Sequence, residues 1–350
     1  MLPLASNIAG NIHDTEHLER VRRSLRLDPH PLRRCVHALM QEGRSDVEAM
    51  QRLPETCREP FAAQVALHPL TLVQTQGSTL DGSHKRLYST AAGDRLESVL
   101  LDTPTGRTSL CISSQVGCRA GCRFCATATM PAVTNLSTGE ILDQLVQANQ
   151  HLRPLGRRVR NIVFMGMGEP LHNEAAVAEA IEAITAHDRF NFSPQKIVLS
   201  TVGVPEGMRR IAERFPRLRI ALSLHHADQL EREQLIPLAR RHSLEQLRAA
   251  VQDVVTIQNQ HVMIQYLLLH GVTDREQDCD ALLSWLDGLQ CYVNLIPYNP
   301  INDGRFSTTP RDHRERFAER LRAAGYMTYI RYSQGADIDA ACGQLATKAP

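Results

Sequence analysis

Cys118-Arg119-Ala120-Gly121-Cys122-Arg123-Phe124-Cys125 puts three cysteines within eight residues. No fourth cysteine stands nearby, and neither a second CxxC pair nor a spaced histidine pair follows, so the four ligands of a structural zinc site are not there. Three thiolates on a four-iron cluster leave one iron open, and an open iron is a place for a substrate to bind. The spacing therefore points to a 4Fe–4S cluster on Cys118, Cys122 and Cys125.

Around this loop the chain alternates between short apolar runs and amphipathic segments. Strands are expected at 109–113, 161–165, 196–200, 219–224, 262–268 and 292–296, with a further one at 327–332. Between them, Ser137-Thr138-Gly139-Glu140 and Ser243-Leu244-Glu245-Gln246 each read as a capping box. There the serine hydroxyl and the acidic or amide side chain satisfy free helix N–H groups. Repeated βα units with short apolar strands imply a parallel sheet covered by helices. Periodicity leaves a doubly wound sheet and an incomplete barrel both open. In either, ligands gather beyond the C-terminal ends of the strands. The segments just past those ends, 166–170, 200–203, 223–225 and 297–300, are polar or rich in glycine or proline, which predicts one shared rim.

Upstream, residues 1–75 read as a small helical N-terminal domain. Leu32, Cys35, Val36 and Leu39, then Val47, Met50 and Leu53, recur at helical spacing, with Pro29, Pro31, Pro54 and Pro60 at the breaks. The character changes from Thr71, and residues 76–107 read as a β-rich extension of short strands and turns. Residues 108–350 form the α/β unit.

Composition bounds the function classes. With 39 basic and 38 acidic residues the net charge is +1, which does not advertise a nucleic-acid binder. Only Lys85, Lys196 and Lys348 are lysines; the other basic residues are arginines, whose planar fork suits phosphate and stacks on bases. No apolar run approaches the roughly 20 residues that span a bilayer. Met1 to Asn7 lack the basic and apolar regions of a secretory leader, so a cytoplasmic protein without membrane association is expected. Nine cysteines, an odd number, argue against a secreted disulfide framework.

Leu110-Cys111-Ile112-Ser113-Ser114-Gln115-Val116-Gly117-Cys118 resembles the segment leading into the cluster of the RlmN/Cfr family of radical S-adenosylmethionine (SAM) RNA methyltransferases. The resemblance continues through Phe164-Met165-Gly166-Met167-Gly168-Glu169-Pro170-Leu171, Leu199-Ser200-Thr201-Val202-Gly203 and Leu222-Ser223-Leu224-His225. It ends with the stretches 293–300 and 335–345, the latter holding Cys342, and covers roughly residues 80 to 347 in the family's order. The CxxxCxxC spacing and Phe124 are those of the wider superfamily. Departures fall after Cys125, where Met130 to Leu136 keep only Asn135-Leu136, and at His226, where the family usually has alanine.

The resemblance implies an α/β fold, an incomplete parallel (β/α)6 barrel, with the N-terminal domain contacting RNA. It implies SAM bound by Gly168, Glu169, Ser200, Ser223, Leu224, His225 and Asn299, the glycines admitting the ligand to the backbone and the carboxylate accepting from its ammonium group. It implies methylation of an adenine carbon, C2 or C8, in rRNA and/or tRNA, with two SAM molecules per turnover. One methylates Cys342. The second is cleaved on the cluster to a radical that takes hydrogen from that S-methyl group, and the resulting methylene adds to the base. Cys111 then attacks Cys342, leaving a disulfide, and Glu97 is the expected proton acceptor. An electron donor such as flavodoxin or ferredoxin and a monomeric state complete the expectation. The rival readings are a radical SAM enzyme of the same fold with another substrate, and a non-catalytic iron–sulfur RNA-binding module.

Overall fold

The computed structural model describes residues 10–102, 106–301 and 303–347; the stretch read for a leader lies outside them, as does Lys348. The described residues include twelve strands: β1 Thr71–Gly77, β2 His84–Ser89, β3 Arg95–Asp102, β4 Thr108–Ile112, β5 Gln115–Val116, β6 Thr134–Asn135, β7 Val159–Phe164, β8 Ile197–Thr201, β9 Arg219–Ser223, β10 Val262–Leu268, β11 Cys291–Pro297 and β12 Thr328–Ile330. Ten form one sheet in the order β1-β2-β3-β4-β7-β8-β9-β10-β11-β12, and β5 pairs with β6. Within the ten-stranded sheet every pairing from β4 to β12 is parallel, and each strand lies beside the next one of that sheet in the chain. That order decides between the two sheets left open by the sequence, because a doubly wound sheet reverses direction at a switch point. No pairing joins β12 back to β4, so the barrel is incomplete.

Six crossovers link the seven parallel strands and carry the helices α5 Thr138–Leu152, α6 Glu174–Thr185, α7 Pro205–Arg214, α8 Gln229–Leu235, α9 Leu244–Gln258, α10 Glu276–Leu286 and α11 Arg311–Ala323. Both expected capping boxes form: Ser137 Oγ accepts from the Glu140 N–H and Ser243 Oγ from the Gln246 N–H, with each acidic or amide side chain answering the cap's own N–H. Strand β10 is buried along its whole length, as a parallel strand covered on both faces must be.

Before the barrel lie four short helices, Thr15–Ser24, Pro29–Met40, Asp46–Met50 and Glu55–Ala62. Leu32, Cys35 and Leu39 turn inward as their spacing predicts. Val47 does not: its helix is only five residues long and its side chain faces solvent. The helices share one continuous apolar core with the barrel. They are also fastened to it by His68, whose ring sits between Asp46 (2.9 Å) and Asp143 of α5 (2.6 Å). Asp143 is fully buried and also accepts from the Leu70 N–H and the Gln147 amide. Strands β1 to β3 run antiparallel and extend the sheet beyond β4.

Several of the arginines are tied to this surface: Arg157 to Asp102, Arg209 to Asp253 and Glu206, Arg210 to Glu174. Among the described residues no helix is long and apolar enough to cross a membrane.

Candidate active site

Gly117 turns the chain out of β5 at φ +69°, where a side chain would meet the Ala132 carbonyl at 2.2 Å. The cysteine loop follows. Cys122 is buried, Cys118 and Cys125 are half-buried, and all three open on one cavity of about 150 Å³. A small apolar cluster of Ala120, Leu235, Ile236 and Leu238 backs the loop.

The opposite wall is the strand rim expected from the sequence: Gly168, Glu169, Ser200, Ser223 and His225 all line this cavity. Glu169 is buried, its carboxylate accepting from the Leu171 N–H (3.0 Å) and the Val202 N–H (2.9 Å). Burial raises its pKa, and these donors together with the Thr201 hydroxyl pull it back. His225 sits at φ +61° with its ring edge-on to Phe124, centroids 5.0 Å apart. Its Nδ1 accepts from the Leu267 N–H at 3.1 Å, so the neutral ring carries its proton on Nε2, toward other partners. Burial, with Arg232 nearby, lowers its pKa to about 3, which keeps it neutral.

Two of the residues carried over for SAM binding stand elsewhere. Leu224 is fully buried, and its carbonyl accepts from Arg232 Nε. Asn299 donates to Ser333 Oγ (2.9 Å) and to the Cys342 carbonyl (3.1 Å), so it holds the C-terminal segment.

A second cavity, about 240 Å³, adjoins the first. Cys111 on β4 and Cys342 on the C-terminal segment both line it, with Arg331, Tyr332 and Gln334. Cys342, Gly343, Cys125, Met165, Gly166, Gln265 and Ile296 border both cavities, so Cys342 stands where the two meet. Burial first, and then Cys342, push the Cys111 thiol up to about 12, against the opposing pull of Arg331. Glu97 is buried on β3 and lines neither cavity. Its Oε2 accepts from the Ala346 and Thr347 N–H groups (3.1 and 3.2 Å), and Lys85 Nζ lies 3.5 Å from its Oε1.

The thiols fit a cluster better than a single ion. Among the described residues only His270, Asp274 and His313 bring three ligand atoms of this kind within 4.8 Å of one another; the cysteine sulfurs are spread more widely. A mononuclear site draws its donors onto one point, whereas a cluster takes each thiolate on a different iron. Burial, with Glu169 and the neighbouring thiols adding to it, raises Cys118 to about 12 and lifts Cys122 well above the ordinary thiol range, so the free site holds neutral thiols and loading releases protons.

Three partners went unnoticed in the sequence. Gln265 Oε1 accepts from both Ser200 Oγ (2.7 Å) and Ser223 Oγ (2.9 Å), fixing the two hydroxyls at the cavity wall. A single amide inside the otherwise apolar run of β10 was the available signal. Gln115 Oε1 accepts from the Glu169 N–H at 2.9 Å and so sets the glycine-rich loop. Arg232 is buried beside Cys122 and His225 and bonds only carbonyls, those of Leu224 and Val202; nothing in the pattern of α8 marks it. His226, the departure from the family pattern, turns away from both cavities toward Asp278 and Glu231.

Gly168 lies at φ +100°, and a Cβ there would sit 2.6 Å from the Gln115 side chain. Gly168→Ala is therefore expected to cost about 1–3 kcal/mol of stability and to displace Glu169. Urea midpoints and SAM affinity measured by calorimetry check this, and unchanged SAM affinity would refute it.

The Radical SAM superfamily profile matches residues 112–283. A probable RNA methyltransferase of Rhodopirellula baltica is 49% identical over 342 residues, 97% of this chain and 89% of that protein. A probable dual-specificity RNA methyltransferase RlmN of Thermus thermophilus is 40% identical over 90% of this chain and 88% of its own. The crystal structure of a radical SAM methyltransferase from Sphaerobacter thermophilus superposes with a TM-score of 0.92 at 36% identity, covering 97% of this chain and 99% of that one. With these identities over most of its length and a shared fold, the chain belongs to the radical SAM superfamily and, within it, to the RlmN type of methyltransferase.

Proposed function

We propose that this chain methylates an adenine carbon of RNA, in rRNA and/or tRNA and at C2 in the first instance, through a methyl group carried on Cys342. The observation that carries the reading is the position of Cys342 between the two cavities, with cluster thiols on one side and Cys111 on the other. The relatives' names supply the RNA. When bound, the cluster and two SAM molecules per turnover supply a methyl group and a reductively generated radical, the electron coming from a donor such as flavodoxin or ferredoxin.

The chain's own residues do the rest. Cys118, Cys122 and Cys125 hold the cluster; Glu169, Ser200, Ser223 and His225 line the space where SAM binds. The Cys342 sulfur accepts the methyl; that carbon gives a hydrogen atom to the radical and bonds to the base carbon, which then gives up a proton and the one electron taken in to make the radical, so that Cys342 is joined to the base through that carbon. Cys111 Sγ attacks Cys342 Sγ; the sulfur–sulfur bond forms, the carbon–sulfur bond breaks, and its electron pair stays on carbon, which takes a proton to become the product methyl. A two-electron thiol reductant restores the pair for another cycle. Glu97 is assigned the proton from the base carbon. It now holds Ala346 and Thr347, so that duty needs the C-terminal segment to shift. The N-terminal helices are assigned to RNA contact.

The test is anaerobic reconstitution with iron and sulfide, then SAM, reductant and unmodified total RNA, followed by digestion and mass spectrometry. New 2-methyladenosine is expected. New 8-methyladenosine would move the carbon but keep the reaction, while SAM cleavage without any methylated adenosine would sink the substrate reading.

A further inference from the structure

We propose that residues 331–334 form a subsite for an unstacked purine, with the Tyr332 ring as its stacking platform. This rests on the RNA reading above. Cys111 and Cys342 face a cavity, and a base inside a stacked helix does not reach a sulfur there; it has to leave the stack. A displaced base loses its neighbours, and proteins replace them with aromatic or guanidinium faces.

Among the described residues Tyr332 is the one aromatic side chain lining the cavity of Cys111 and Cys342. It is 55% exposed, so its ring is not taken up by core packing. The guanidinium carbon of Arg314 lies 5.5 Å from the ring centroid, and Arg314 Nε is buried with no hydrogen-bond partner. That cation steadies the ring from its own side.

The backbone is fixed on both flanks. The Arg331 N–H donates to the Leu295 carbonyl at 2.8 Å, and the Gly335 N–H donates to Asp81 Oδ2 at 2.7 Å. A half-exposed aromatic on an anchored segment loses little freedom on meeting a base. Arg331 in the same wall adds a cation toward the RNA.

Cluster-loaded protein and unmodified total RNA test the platform. Tyr332→Ala is expected to raise the KM for RNA by about tenfold or more, with kcat changed far less. Tyr332→Phe should restore the wild-type value to within about threefold, since the ring face and not the hydroxyl does the stacking. S-methylation of Cys342 by SAM, followed by protein mass spectrometry, should proceed in both variants and reports that the site is intact. A Tyr332→Ala enzyme with unchanged KM for RNA would overturn the platform and leave the RNA reading standing. A wild-type enzyme that S-methylates Cys342 yet modifies no RNA would overturn both.

Discussion

Cys111→Ala is expected to leave RNA covalently joined to Cys342, with multiple turnover reduced more than about a thousandfold because both thiols act as one unit. Cys342→Ala is expected to abolish methylation without any adduct. Denaturing gels of labelled RNA, with and without protease, separate the two: a slow, protease-sensitive band for the first and none for the second. Full turnover in either variant would refute the relay.

The same cysteine predicts a pH dependence. Burial holds the Cys111 thiol up at about 12, and the thiolate is the attacking form. Over pH 7 to 9 the thiolate fraction rises about tenfold per unit, so the rate of adduct release should rise in parallel. A flat profile in single-turnover chase experiments would show that thiol ionisation does not limit release.

Asp143→Ala is expected to cost about 3–5 kcal/mol, the loss that follows removal of one partner from a buried ion pair. It leaves the His68 ring with Asp46 alone and the Leu70 N–H without its acceptor, and loosens the N-terminal helices from α5. Burial works against a charged His68, but Asp143 and Asp46 outweigh it and raise its pKa to about 10. A base whose folded pKa is raised stabilises the fold fully below its unfolded pKa, near 6.5, and loses that contribution as pH climbs through about 10.

His13, also near Asp143, has the opposite shift: burial lowers it to about 4, so acid below about 6.5 destabilises through that ring. Urea midpoints of the wild type should therefore fall between pH 7 and 10. The alkaline part of that fall should shrink in Asp143→Ala, the remainder coming from Asp46 and from the buried thiols. A variant with the wild-type alkaline slope would refute the clamp.

Local rules made much of the fold readable. The capping boxes at Ser137 and Ser243 and the strands of the barrel depend on neighbours within a few residues, and the sequence contains those neighbours. The three cysteines were legible for the same reason, as were the rim segments, since strand ends define where ligands gather. What escaped depends on partners far apart in sequence. Gln265 meets Ser200 across 65 positions, and His68 meets Asp143 across 75. Glu97 is expected as a proton acceptor, but nothing near it in the sequence foretells that β3 is buried on both faces or that its carboxylate meets a segment 249 positions away. Arg232 sits on a short polar helix whose pattern gives no reason to expect burial.

The β1–β2 turn has a consequence for how the molecule comes into being. Ser78 and Thr79 hold Asp337, and Asp81 holds Gly335, at separations of 254 to 259 residues. Such a closure costs little more than a much shorter one, because the entropy grows only with the logarithm of length. Its timing, however, is dictated by the ribosome. The cysteine loop is synthesised more than 200 residues before Cys342, so on every nascent chain it stands open on the side that Cys342 later covers. The segment around Cys342 is delivered after every strand of the barrel, and it closes the chamber like a latch.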